Sequence, residues 1–169
     1  MSVSVRYVRI LEASCPHPFV NLAFWIVRKC FFPVNNDLIF EAERKLDYAF
    51  PNELRTFYLE IGEGRLQSGE EARFVSHSHN SVIHPTDIPK LLDGTCEWMM
   101  PYTEIQPDVL PFFDRDLDLF LCLRPRSGNP NAVYWMWGDR ICDSLIEFFQ
   151  RLMVDPDWFN PPKSRSTEH

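Results

Sequence analysis

Glycine is scarce in this sequence, with six in 169 residues against fourteen prolines. Turns are therefore set more often by fixed proline rings than by glycine freedom. No GxxxxGK[ST] element occurs, and no glycine-rich turn follows a strand, so a phosphate loop is not expected. GxSxG and the known catalytic-cysteine signatures are missing too, which leaves no local support for a nucleophile–base pair. CxxC is absent. The five cysteines (Cys15, Cys30, Cys96, Cys122 and Cys142) are odd in number, and three lie in apolar segments, the usage of a reducing compartment. The opening residues show no basic region followed by an apolar core and a small-residue cleavage site. The apolar run from Phe19 to Phe32 is interrupted by Arg28 and Lys29 and falls short of the ~20 residues a membrane span needs. A soluble, cytoplasmic protein is the expectation. Positive charge is in short supply, with 17 Lys and Arg against 24 Asp and Glu and a formal net charge of −7. That balance argues against a nucleic-acid binder and fits a basic protein partner, although taken alone it says no more than solubility.

What is plentiful is apolar and aromatic material. Hydrophobic residues make up 45% and aromatics 14%, with 14 Phe and 5 Trp, enough for one domain with one sizeable core. Val3, Val5 and Tyr7 alternate with Ser4 and Arg6, which predicts a strand over Ser2 to Leu11. From Phe19, the spacing of Leu22, Ala23, Ile26 and Cys30 predicts a helix, with a buried strand as the alternative. Asn36 or Asp37 is the expected cap of a second helix that turns Leu38, Ala42, Leu46 and Ala49 inward. Leu54, Phe57, Tyr58 and Ile61 predict a third helix, begun at Pro51 and stopped by Gly62. Residues 64 to 71 read as a polar loop. Residues 72 to 76 and 81 to 84 read as short strands, and Thr86 to Leu92 as one or two helical turns.

The most organised stretch runs from Val109 to Met153. It predicts a short strand, a carboxylate-rich turn, two apolar strands joined by a polar turn (Pro125 to Asn131), and an amphipathic helix. Leu117, Leu119, Leu121 and Leu123 fall on one face and Phe120 and Cys122 on the other, as in a strand covered on both faces inside a sheet. Ala132 to Trp137 is the next strand. Ser144 and Glu147 form a capping-box pattern ahead of the stripe Leu145, Phe148, Phe149 and Leu152. Asp114, Asp116 and Asp118 could offer carboxylates to a hard cation. However, the glycine and glutamate of a calcium loop are replaced by Leu119 and Pro125, so an acidic turn is the simpler reading. His77, His79 and His84 lack cysteine or carboxylate companions at zinc spacing and read as a solvated loop. Trp135 and Trp137 share a strand face. Trp135 reads as core, while Trp137, beside Gly138 and Asp139, reads as a partly exposed anchor of the kind found in binding hot spots.

Several segments together resemble the SUKH superfamily. Glu43, Leu46, Phe50-Pro51, Leu54, Phe57-Tyr58 and Gly62-Glu63-Gly64 are similar to its helical opening. Residues 109 to 112, with Asp116 and Asp118 to Leu123, resemble its strand pair. Residues 132 to 135 with Asp139, followed by Ser144 to Phe149 and Leu152, resemble its ending. Leu117 stands where the family usually has glycine, and the asparagine usual after the third helix is missing, with Glu63 between the two glycines. The resemblance implies an α/β (α+β) single domain, a central mostly antiparallel sheet packed by about four helices. Residues 1–36 would form a strand-and-helix extension on the core, 37–158 the SUKH-like domain, and 159–169 a flexible tail. It further implies a non-enzymatic immunity protein that binds and neutralises a cognate toxin, such as a nuclease or deaminase, with a regulatory scaffold as the alternative and a small metal-dependent enzyme as a third reading. No cofactor, metal, nucleic acid or membrane is expected, and the protein would be a monomer or weak dimer. On this reading Glu63, Glu70, Glu71, Asp114, Asp116, Asp118 and Trp137 would face a basic toxin surface.

Overall fold

The computed structural model describes residues 31–65, 80–95, 108–116, 119–155 and 158–159. The strand expected at Ser2 to Leu11, most of the helix expected from Phe19 and the strand expected at residues 72 to 76 lie outside them; the last residues of that expected helix, Phe31–Phe32, are strand, paired with residues 63–64. The described residues form one domain, a seven-stranded antiparallel sheet and four helices.

Capping and apolar spacing decide where the helices start and what they bury. Helix α1 (Asn36–Leu46) is capped by Asn35, whose side chain accepts from the Asp37 amide at 3.1 Å, one residue earlier than the sequence suggested. Asp37 in its first turn and Arg44 and Lys45 in its last suit the helix dipole. Ile39 and Ala42 are its buried residues; Asp47, in the left-handed region, ends it, so Ala49 falls beyond the helix and is exposed. Helix α2 (Asn52–Glu60) follows Pro51 and buries Leu54, Phe57 and Tyr58, as expected. Arg55 clamps the two helices: one nitrogen donates to both Glu43 oxygens at 2.7 Å and the other to Asn36 Oδ1 at 2.7 Å. Gly62, at φ 104°, carries the chain off α2; a Cβ there would lie 1.8 Å from the Phe32 carbonyl oxygen. Helix α3 (Asp87–Asp93) is short and closes on Gly94. Helix α4 (Leu145–Val154) starts at Ser144, whose hydroxyl accepts from the Glu147 amide at 3.0 Å. Glu147 accepts in return from the Asp143 amide at 3.1 Å, a capping box displaced by one residue.

The strands are β1 (Phe31–Phe32), β2 (Glu63–Arg65), β3 (Ser81–Val82), β4 (Leu110–Asp116), β5 (Leu119–Leu123), β6 (Val133–Trp135) and β7 (Arg140–Cys142), and each pairs with its neighbours in chain order. β2 occupies part of the expected polar loop. β4 runs through Asp114 and Asp116, so most of the expected carboxylate-rich turn is strand. β5 lies between β4 and β6 with residues 120 to 123 buried on both faces, as its unbroken apolar run required. β6 stops at Trp135, two residues early, because Met136 and Trp137 enter a turn closed by Gly138 donating to the Trp135 carbonyl at 2.8 Å. Phe148 is the hub of the core, in ring contact with Phe112, Phe113, Phe149, Trp158 and Phe159. Phe159, expected in a flexible tail, is thus a core residue.

Strand direction gives the sheet two unlike ends. β1 leads into α1 and α2, β3 into α3, and β7 into α4 at the end where β5 turns into β6. At the other end β2 connects to β3, β4 to β5 and β6 to β7.

Candidate binding surface

Trp137 stands at the end opposite the helices. Its indole is 47% exposed and stacks on Trp135, which is 6% exposed, with ring centroids 5.0 Å apart and planes 9° from parallel. Its ring N–H donates to Asp139 Oδ2 at 2.7 Å. The Trp135 amide donates to the Asp139 carbonyl at 2.8 Å, so both ends of the Asp139 residue are engaged by the same turn. Beneath, Trp135 meets Phe159 at 5.9 Å, and Phe159 meets Phe113 and Phe148. An exposed aromatic fixed on one face by stacking and at its edge by a hydrogen bond has little rotamer freedom left to lose on binding. The sequence placed Trp137 on a strand face; its partner Asp139 was missed as a contact, and the Trp-Gly-Asp order that makes the turn is the signal that could have found it.

The acidic candidates divide. β4 carries Asp114 and Asp116 towards the Trp137 end of the sheet. Asp114 is 3% exposed, so its carboxylate belongs to the interior and does not stand on a rim. Asp116 closes β4 opposite Leu119. Asp118, Glu70 and Glu71 lie outside the described residues; the segment with both glutamates leaves β2 after Arg65 and returns at Asn80, again at this end. Glu63 does not join them. It opens β2 at the helix end, its carboxylate 3.9 Å from His84 Nε2. Between β2 and β6 stand four strand spacings, roughly 19 Å at about 4.8 Å each. His77 and His79 are outside the described residues, and His84 Nδ1 sits 2.7 Å from Thr86 Oγ1.

Among the described residues no group of three or more His, Cys, Asp or Glu could hold a metal ion. Burial pushes the Cys142 thiol up to about 12 and the Cys122 thiol well above its ordinary value, so both stay protonated and poorly nucleophilic. The Tyr58 hydroxyl, also pushed up by burial, donates to the Ile83 carbonyl at 2.6 Å. No helix among the described residues is long and apolar enough to cross a membrane.

Comparison with known proteins agrees with the ordered motifs. Residues 33–151 match the SMI1 / KNR4 family (SUKH-1). A Bacillus subtilis (strain 168) protein named Immunity protein YxxD is 27% identical over 134 residues, which cover 76% of this chain and 86% of that protein.

Proposed function

The chain belongs to the SMI1 / KNR4 family (SUKH-1), and on that premise we propose that it is an immunity protein, one that binds a cognate protein toxin stoichiometrically in the cytoplasm and neutralises it without chemistry of its own. The observation that carries this reading is the likeness to a protein named for immunity over most of both chains. One feature of the molecule supports it. The rigid Trp137 offers a preorganised anchor of the type that dominates interface energetics. In this reading the toxin meets the Trp137 end of the sheet, where Asp139 carries negative charge beside the indole, and the net charge of −7 speeds encounter with a basic toxin surface. Asp114 contributes to the fold and Glu63 flanks the helix end.

The test is co-expression with the toxic domain encoded beside this chain's gene. Cells producing both survive, and the purified pair runs as an equimolar complex. Death of the cells despite folded protein, or capture instead of a cell-wall or signalling protein, would replace this reading with the regulatory one.

A further inference from the structure

We propose that the outer face of Trp137 receives a guanidinium from the toxin, an arginine that stacks on the indole while pairing with the Asp139 carboxylate; this deepens the immunity reading and rests on it. Trp135 covers one face of the indole at 5.0 Å in near-parallel stacking, so a single ring face is left to solvent. Asp139, bonded to the ring N–H at 2.7 Å, holds an exposed carboxylate at the edge of that face. A flat π-surface with an anion at its rim matches the geometry of a planar guanidinium, which stacks and donates in its own plane at once. A lysine ammonium has no plane to stack, and a quaternary ammonium wants several aromatic walls where Trp137 supplies one. Nucleobases also stack on tryptophan, but Asp139 beside the ring repels the attached phosphates. Among the described residues the neighbouring cations are already engaged: Arg140 pairs with Asp143, and Arg115 lies over Phe159 at 5.9 Å. Arg65 is on β2, four strands from β6.

The experiment has two arms on the full chain. In the first, Trp137→Ala, Trp137→Phe and Asp139→Asn are titrated with the toxic domain by calorimetry. Trp137→Ala should weaken binding by about 30-fold or more, and Asp139→Asn by about 5- to 10-fold. Phenylglyoxal modification of the toxin's arginines should abolish binding to the wild type, while acetylation of its lysines should not. Wild-type binding with Trp137→Ala within twofold of it overturns this proposal and leaves the immunity reading standing. In the second arm, the Trp137 indole N–H resonance, assigned by its loss in Trp137→Phe, is followed during titration with N-acetylarginine amide, N-acetyllysine amide and a short single-stranded oligonucleotide. The arginine compound should shift it at tens of millimolar, roughly as a single stacked ion pair binds, and Asp139→Asn should blunt the shift. If the toxic domain does not bind the wild type, the immunity reading fails and this arm alone decides: an unmoved resonance, or one moved as far by the lysine compound or the oligonucleotide, overturns the guanidinium site.

Discussion

The four helices of the described residues join the sheet at one end, and at the other β2 connects to β3, β4 to β5 and β6 to β7. The helix end is heavily cross-braced. Asn129 donates to the Asp143 carbonyl at 2.9 Å, and Glu53 of α2 accepts from the Ile146 amide of α4 at 3.1 Å. Arg124 lies over Tyr134 at 4.9 Å and Arg126 over Tyr48 at 5.2 Å. Three of these braces link segments 14 or more residues apart, and the Arg124–Tyr134 contact closes the β5–β6 connection. At the Trp137 end Trp135 is tied to Phe159 beneath it, but the contacts of the exposed indole itself are short-range, Trp135 to Trp137 to Asp139, within five residues. Long-range braces resist local change, whereas the exposed tip of a turn can alter its side chains without loosening the rest. A scaffold at one end and an adjustable face at the other is the division of labour a binding protein needs.

Phe148 is shared by both ends, so breaking it should erase the contrast between them. Phe148→Ala should cost about 3–5 kcal/mol of stability, read from urea unfolding, with binding lost because the fold is lost. Asp114 sharpens the division: being buried, it should act on stability alone. Asp114→Ala should lower the unfolding free energy by about 1–3 kcal/mol and leave affinity per folded molecule unchanged. A tenfold affinity loss at unchanged stability would return Asp114 to the rim. At the helix end, Arg126→Ala should cost about 0.5–1 kcal/mol of stability and nothing in binding. A further effect is alkaline and belongs to the helix end as well. Burial raises Tyr48 from 10.0 to about 12 and Cys142 from 9.0 to about 12. The folded state favours their neutral forms, so their contributions are complete below pH 9 and are lost as pH rises towards 12. Urea midpoints should fall across that window, and Tyr48→Phe should flatten the part above pH 10.

Much of the fold was legible because the strong signals are local. The Leu145, Phe148, Phe149 stripe and the Ser144 cap gave α4 directly, and the two-faced apolar run of residues 119 to 123 gave an interior strand. β2 and β7 were missed because three residues carry no usable periodicity; their hydrogen bonds come from neighbours, not from their own pattern. The site was harder. The acidic residues were chosen by charge, yet charge in sequence does not reveal depth: Asp114 sits opposite Phe120 and is enclosed. The exposure of Trp137 was legible from its neighbours in sequence, because the turn that exposes it is itself local.

Strict chain-order pairing has a consequence for how such a protein can diversify. Among the described residues each strand bonds only to those before and after it, so an insertion in one hairpin displaces no distant partner. The connections at the Trp137 end can therefore lengthen, shorten or exchange residues independently, while the helical connections at the far end preserve register. Chimaeras that graft these turns between relatives should fold far more often than chimaeras that exchange helices.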